Sequence, residues 1–185
     1  HGSYEAYRDA KLSIARRVAK SYKEKKIIIA NKDDKEGSRF LSVPGISAAI
    51  PYSREDGKPY TLTKDNISFT FKGERIATKL SGEFNLYNLI AAATFADNQN
   101  IGTQIIKRAL LHMNGVPGRM QKIEEGQDFT VIVDYAHTPD SLEKVYETYA
   151  LTRKICVFGA AGGGRDSWKR PVFGKIANAH CSEII

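Results

Sequence analysis

Ten residues, Val131 to Asp140, constrain this chain more than any other stretch. Phe129 to Val133 is a short run of aromatic and β-branched side chains and reads as a buried strand. Asp134 stands where that strand stops. Thr138 is placed to cap a helix, Pro139 suits its first position, and Asp140 adds a negative charge to its first turn. The spacing therefore predicts a carboxylate and an imidazole, Asp134 and His137, at the carboxyl end of a strand and beside a helix N-terminus. Open α/β sheets hold their ligands at that position.

The rest of the chain reads as α/β. Residues 4 to 22 are helical, with Tyr7, Lys11, Ile14 and Val18 at helical spacing, so that Lys11 falls on the apolar stripe. Ile27 to Ala30 reads as a buried strand, ended by Asn31 to Asp34, which cap a short helix through Leu41. Gly45 to Pro51 reads as a second strand. Ile67, Phe69 and Phe71 alternate with polar residues, turn at Lys72-Gly73-Glu74 and return to Leu80 as a hairpin. Helices are expected over 85–98 and 102–112. Met113 to Gly118 is the one clear linker and divides the chain into domains 1–114 and 115–185. Beyond it come strand 129–133, helix 138–150, strand 154–158, a glycine-rich loop, helix 171–180 and a strand from 182, an alternation that implies a parallel sheet.

Composition narrows the function. No apolar run approaches the roughly 20 residues needed to cross a bilayer, so no membrane partner is expected. Lys and Arg number 28 against 21 Asp and Glu, a net charge of +7. The excess is dispersed over Lys20–Lys26, Lys72–Lys79 and Arg165–Lys175, which fits anionic small-molecule substrates and a solvated surface better than nucleic acid. Cys156 and Cys181 lack metal-ligand spacing and are expected as reduced, structural thiols in a reducing compartment.

Several residues carry both an ordinary and a chemical reading. Lys11 reads as a lysine snorkelling from a half-buried stripe. Asn85 and Asn88, three apart on one helix face, read as a cap and a surface residue, yet a carboxamide can also match the donor and acceptor of an adenine edge. Arg119 sits in a glycine- and proline-rich linker. The loop from Phe158 to Pro171 is glycine-rich between a strand and a helix, but fits neither G-x-G-x-x-G nor G-x-x-x-x-G-K-[ST], since Trp168 and Arg170 stand in the wrong places.

Gly118-Arg119-Met120 with Asp134-Tyr135-Ala136-His137-Thr138-Pro139-Asp140 resembles the Mur ligase family of ATP-dependent amide-forming enzymes, most closely its UDP-N-acetylmuramoyl-tripeptide synthetase branch. Tyr7-Arg8-Asp9-Ala10-Lys11 resembles the family's Y-x-x-A-K helix, which implies that Lys11 becomes an N-carbamate that helps position Mg²⁺. Gly82 to Asn88 resembles G-x-F-N-x-x-N, which implies that Asn85 and Asn88 line the adenine side of an ATP site. By the same resemblance Arg119 reaches the ATP phosphates, Asp134 the ribose hydroxyls, and His137 lies beside the nucleotide in a catalytic role. The glycine-rich loop resembles F-G-x-G-G-x-R-D-x-x-K-R-P with one extra residue, so Arg165 is expected to hold a carboxylate of the incoming amino acid and Lys169 to approach the transferring phosphoryl group.

The resemblance implies the rear part of a Mur-ligase central ATPase domain followed by the first part of a Rossmann-like C-terminal domain. The N-terminal domain, the main phosphate loop and the C-terminal end are then expected to lie outside these 185 residues, and the chain alone to be inactive. The intact enzyme is expected to be cytoplasmic and monomeric. It would add a diamino acid to UDP-MurNAc-L-Ala-D-Glu through an acyl phosphate, a step of peptidoglycan synthesis and so of cell shape and division. A folylpolyglutamate synthetase-like ligase and a non-catalytic basic binding module are the rival readings.

Overall fold

A computed structural model describes residues 3–159 and 167–185. Arg165 lies outside the described residues. The chain forms two compact units, one of His1–Tyr60, Phe69–Ile76 and Leu86–Leu111, the other of Thr61–Ser68, Ala77–Asn85 and His112–Ile185.

In the first unit, α1 (Tyr4–Ala19) starts at Ser3, whose hydroxyl accepts the Ala6 N–H at 3.1 Å. Its buried side chains are Leu12 and Ala15, flanked by half-buried Arg8 and Ala19. The expected stripe of Tyr7, Lys11, Ile14 and Val18 is therefore displaced by one position: Tyr7 is 46% and Ile14 62% exposed, and Lys11 faces solvent. Both stripes have the same helical period. The alanines at 15 and 19 let the backbone lie close to its neighbours, and that close approach selects the face with smaller side chains.

Helix α1 packs on β1 (Ile27–Asn31) and α2 (Gly37–Leu41). Strand β1 pairs in parallel with β2 (Ala48–Tyr52), with Ile27 opposite Ala48. Strands β3 (Thr61–Leu62), β4 (Ile67–Phe71) and β5 (Glu74–Thr78) form a three-stranded sheet in that order. Lys72 and Gly73, with φ of 47° and 82°, make the two-residue turn that a right-twisted hairpin favours. The expected alternation holds, since Ile67, Phe69 and Phe71 are buried and Ser68 and Thr70 are not. Helix α3 (Glu83–Asn98) buries Leu86, Leu89, Ile90 and Ala93, and α4 (Thr103–Leu111) buries Ile106 and Leu110.

In the second unit, β6 (Gln121–Ile123) pairs antiparallel with β7 (Val131–Val133). Here the sequence expectation needs correction. Phe129 is 66% and Val133 45% exposed, so this is a short, half-covered ribbon and not a buried strand. Its partner Gln121-Lys122-Ile123 is too polar to announce itself by hydrophobic pattern. The expected single parallel sheet is likewise divided among the described residues: β8 (Ile155–Cys156) pairs in parallel with β9 (Glu183–Ile184), apart from β6 and β7.

Helices α5 (Pro139–Thr148) and α6 (Lys169–His180) pack together over a core of Leu142, Tyr146, Cys156, Phe173 and Ala177. Thr138 caps α5 as expected, its hydroxyl accepting the Ser141 N–H at 3.2 Å. Cys156 and Cys181 are joined by a disulfide, against the expectation of two reduced thiols. Phe158 and Phe173 meet edge-on at 6.3 Å, completing the packing around β8.

Two outcomes test this packing. The cross-link spans a sequence separation of 25, and on the chain-entropy model its loss costs about 3.5 kcal/mol. Denaturant unfolding with and without reductant should differ by that order, and two reactive thiols in protein unfolded without reductant would contradict the pairing. Thr138→Ala should cost about 1 kcal/mol of stability while Thr138→Ser stays near neutral.

Candidate functional site

The residues singled out from the sequence fall on both units. On the first unit, Lys11 lies mid-way along α1, with Nζ 5.4 Å from the Tyr7 ring centroid. A turn earlier, Arg8 Nε donates to Asp9 Oδ1 at 2.9 Å. That hydrogen bond raises the Arg8 pKa above its ordinary value and holds the Asp9 carboxyl below its own. Asn88 is exposed, one turn into α3.

Asn85, in the second unit, is buried, and its Nδ2 donates to Ser81 O at 2.7 Å. Part of its carboxamide thus holds the entry into α3.

The second unit brings four polar and aromatic groups together, and the strand register explains why. Gln121 faces Val133 across the β6–β7 ribbon. Extending that register outward sets Met120 against Asp134 and Arg119 against Tyr135. The Tyr135 N–H donates to Gly118 O at 2.9 Å, and the Met120 N–H to Asp134 Oδ2 at 2.8 Å. Arg119 N–H donates to Val116 O at 3.0 Å, and Gln121 Oε1 accepts from Gly118 N–H at 2.8 Å. These bonds fix a tight turn in which Gly118 and Met120 both have positive φ, 69° and 46°.

The Arg119 guanidinium lies 5.1 Å from the centroid of the Tyr135 ring, which is itself 65% exposed. His137 leans on the same tyrosine at 5.3 Å. Its Nδ1 is 3.2 Å from Tyr135 O. A carbonyl can only accept, so Nδ1 is the donor in this contact. At 5.1 Å the Arg119 guanidinium is within cation–π reach of the Tyr135 ring, and its planar fork of N–H groups is of the kind that binds an oxyanion.

Tyr135 and Gln121 were not among the expected site residues. An exposed aromatic between a strand end and a histidine was the available signal for Tyr135. Nothing in the spacing pointed to Gln121.

Lys169 opens α6, half-buried, with Nζ 5.8 Å from the Trp168 ring centroid. Lys169 and Arg170 occupy a first turn that holds no acidic residue. A cation there opposes the helix dipole, at about 0.3–1 kcal/mol each.

The arrangement suits a nucleotide: guanidinium for phosphate, carboxylate for hydroxyl, aromatic ring and imidazole for the base or sugar. It does not supply a metal donor set. Among the described residues no group of three or more His, Cys, Asp or Glu could hold a metal ion. Nor, among them, is any helix long and apolar enough to cross a membrane.

Comparison with known proteins matches residues 1–96 to the Mur ligase middle domain and residues 118–185 to the Mur ligase glutamate ligase domain. A UDP-N-acetylmuramoyl-L-alanyl-D-glutamate–2,6-diaminopimelate ligase of Syntrophomonas wolfei subsp. wolfei is 41% identical over 189 residues, covering 96% of this chain and 38% of that protein. A UDP-N-acetylmuramyl-tripeptide synthetase of Roseiflexus sp. is 35% identical, covering 100% of this chain and 40% of its own length. The chain thus spans about two fifths of the curated relatives it matches.

Among solved structures, a UDP-N-acetylmuramoyl-L-alanyl-D-glutamate–2,6-diaminopimelate ligase superposes with a TM-score of 0.60 at 27% identity, over 100% of this chain and 40% of that one. MurF from Acinetobacter baumannii gives 0.76 at 19% identity over 100% and 46%, a likeness of fold alone. The α/β architecture expected from the sequence is therefore that of the Mur ligase middle and C-terminal domains. With more than half its residues matched to the middle domain and most of the remainder to the ligase domain that follows, the chain belongs to the Mur ligase family.

Proposed function

We propose that this chain is part of an ATP-dependent ligase that adds the third residue to UDP-MurNAc-L-Ala-D-Glu, with 2,6-diaminopimelate as the incoming amine. The substrate reading is supported by the name of the relative at 41% identity, and the tripeptide product by that of the relative at 35%. The single observation that carries the nucleotide reading is the Arg119–Tyr135–His137 cluster held over the Asp134–Met120 hydrogen bond. The domain boundary is placed in the Met113–Gly118 linker, giving 1–114 and 115–185, a reading supported by the gap between the two family matches. The enzyme is read as cytoplasmic and monomeric.

The chemistry follows from charge. A carboxylate is a poor electrophile. Its oxygen attacks the γ-phosphorus of ATP, the bond to ADP breaks, and an acyl phosphate results. The amine nitrogen then attacks the acyl carbon, inorganic phosphate leaves, and the amine gives up its proton. The protein's share is to align anions and offset their repulsion.

In this reading Arg119 binds phosphate oxygens through its in-plane N–H groups, while Asp134 accepts from ribose hydroxyls with the oxygen not turned to Met120. His137 presents Nε2 beside the nucleotide, and Asn85 and Asn88 line its adenine side. Lys169 approaches the transferring phosphoryl group, and Arg165 holds the carboxylate of the amino acid. Lys11, exposed on α1, bonds through its amine nitrogen to the carbon of CO₂ and gives up a proton to become an N-carbamate, an anionic group that would suit Mg²⁺. Among the described residues no group of three or more His, Cys, Asp or Glu supplies further donors to that ion.

In a full-length ligase carrying this segment, ATP-dependent joining of 2,6-diaminopimelate to UDP-MurNAc-L-Ala-D-Glu, read by mass spectrometry, is the direct test. Failure with every amino acid offered would refute the assignment. Arg119→Lys should lower kcat/KM for ATP by about tenfold and Arg119→Ala by more, because lysine keeps the charge and loses the bidentate geometry. Lys11→Ala should abolish turnover, with partial return on adding short-chain carboxylates that replace the carbamate oxygens. Unchanged activity in Lys11→Ala would remove the carbamate from the account.

A further inference from the structure

The first unit carries a concave site that the ligase reading does not use. It lies where α1 and α3 end and β1 begins, with a volume of about 580 Å³, lined by Arg17, Val18, Ser21, Lys23, Lys25, Ile27 and Asn98–Asn100. That volume is in the range of small-ligand sites. Ligands of open α/β sheets sit at the carboxyl ends of the strands, whereas Ile27 is the first residue of β1. Asn98 is the last residue of α3, ten positions beyond Asn88 and so about 15 Å along the helix.

The lining has one sign. Arg17, Lys23 and Lys25 are its three charged groups, and no carboxylate is among the nine residues. Some other cations of this unit are paired with carboxylates, Arg39 with Glu36, Lys58 with Glu55, Lys72 with Asp97 and Lys107 with Glu74. Among the described residues no carboxylate pairs with Arg17, Lys23 or Lys25.

The bland account is that cations collect at a helix C-terminus. It covers Arg17, in the last turn of α1, but the effect fades within that turn. Lys23 and Lys25 lie beyond the helix end. The nearby Lys26 already serves the helix, its Nζ donating to Ala19 O at 3.1 Å. The same lining holds neutral hydrogen-bonding groups, Ser21, Asn98, Gln99 and Asn100, and the apolar Val18 and Ile27. A concave surface of one sign concentrates counter-ions, and an arginine with two lysines suits phosphate oxygens better than a single carboxylate.

We infer that this pocket, at the end of the β1–β2 sheet where the strands begin, binds a small anion bearing two or more phosphoryl groups, either inorganic polyphosphate or the phosphate tail of a nucleotide. Such a ligand would answer the three positive charges that line the pocket without needing a base-specific contact.

The test titrates the 185-residue chain with inorganic tripolyphosphate, and separately with ADP, followed by amide chemical shifts. Saturable shifts confined to residues 17–27 and 98–100 are expected. The double variant Arg17→Gln/Lys25→Gln, at two exposed positions, should raise the Kd for tripolyphosphate about tenfold or more. Equal affinity for both probes identifies the phosphate chain alone as the ligand, and tighter ADP binding with the same shift pattern identifies a nucleotide. Shifts scattered over the surface, an unchanged Kd in the double variant, or tighter binding of single-stranded RNA with steep salt dependence would each overturn the proposal.

Discussion

The hydrogen bond from the Met120 N–H to the Asp134 carboxylate joins residues 14 apart and holds the second unit's polar cluster in register. A bond to a charged acceptor contributes about 1.5–3 kcal/mol. The left-handed backbone at Met120 costs about 1–2 kcal/mol for a residue other than glycine. The first exceeds or matches the second, so the turn persists despite its strain. Met120 is also buried, which adds an apolar reason for the chain to stay. A slip of one residue between β6 and β7 would place Arg119 on the opposite face from Tyr135 and disperse the cluster. Asp134 thus has a structural task in addition to any contact with a ligand.

The two units position their chemistry differently. In the second, exposed groups are held by backbone: a three-residue ribbon, a turn with two positive φ values and the capped start of α5. The aromatic contacts of Tyr135 with Arg119 and His137 are individually weak, about 0.5–1 kcal/mol at such exposure. They orient side chains whose backbone is already fixed. In the first, Lys11 rides on a regular helix whose place is set by Leu12 and Ala15 underneath. A lysine on the outer face can meet a dissolved reactant and lies clear of the core packing.

Much of the fold was legible in the sequence. Hydrophobic alternation gave the β4–β5 hairpin, and Thr138-Pro139-Asp140 gave the start of α5, because in both the determining interaction is local. What failed depends on distant partners. The face of α1 differs by one residue from the stripe of largest apolar side chains, since packing distance and not bulk selects it. Strand β6 exists through its partner β7 and has no pattern of its own. Cys156 and Cys181 bond because α6 returns the second beside the first, which spacing alone cannot show. At the candidate site, residue types were readable from motif, while the contact of Arg119 with Tyr135 required the register.

Charge placement ties these observations together. Asp140 in the first turn of α5 and Arg16 and Arg17 in the last turn of α1 all agree with their helix dipoles, so each is accounted for by the fold. Lys169 and Arg170 do not agree, standing at the positive end of α6 with no acidic residue in that turn. Lys23 and Lys25 gather at one pocket past the reach of the α1 dipole. Lys23 and Lys25, with no carboxylate paired to either among the described residues, become more favourable once an anion arrives.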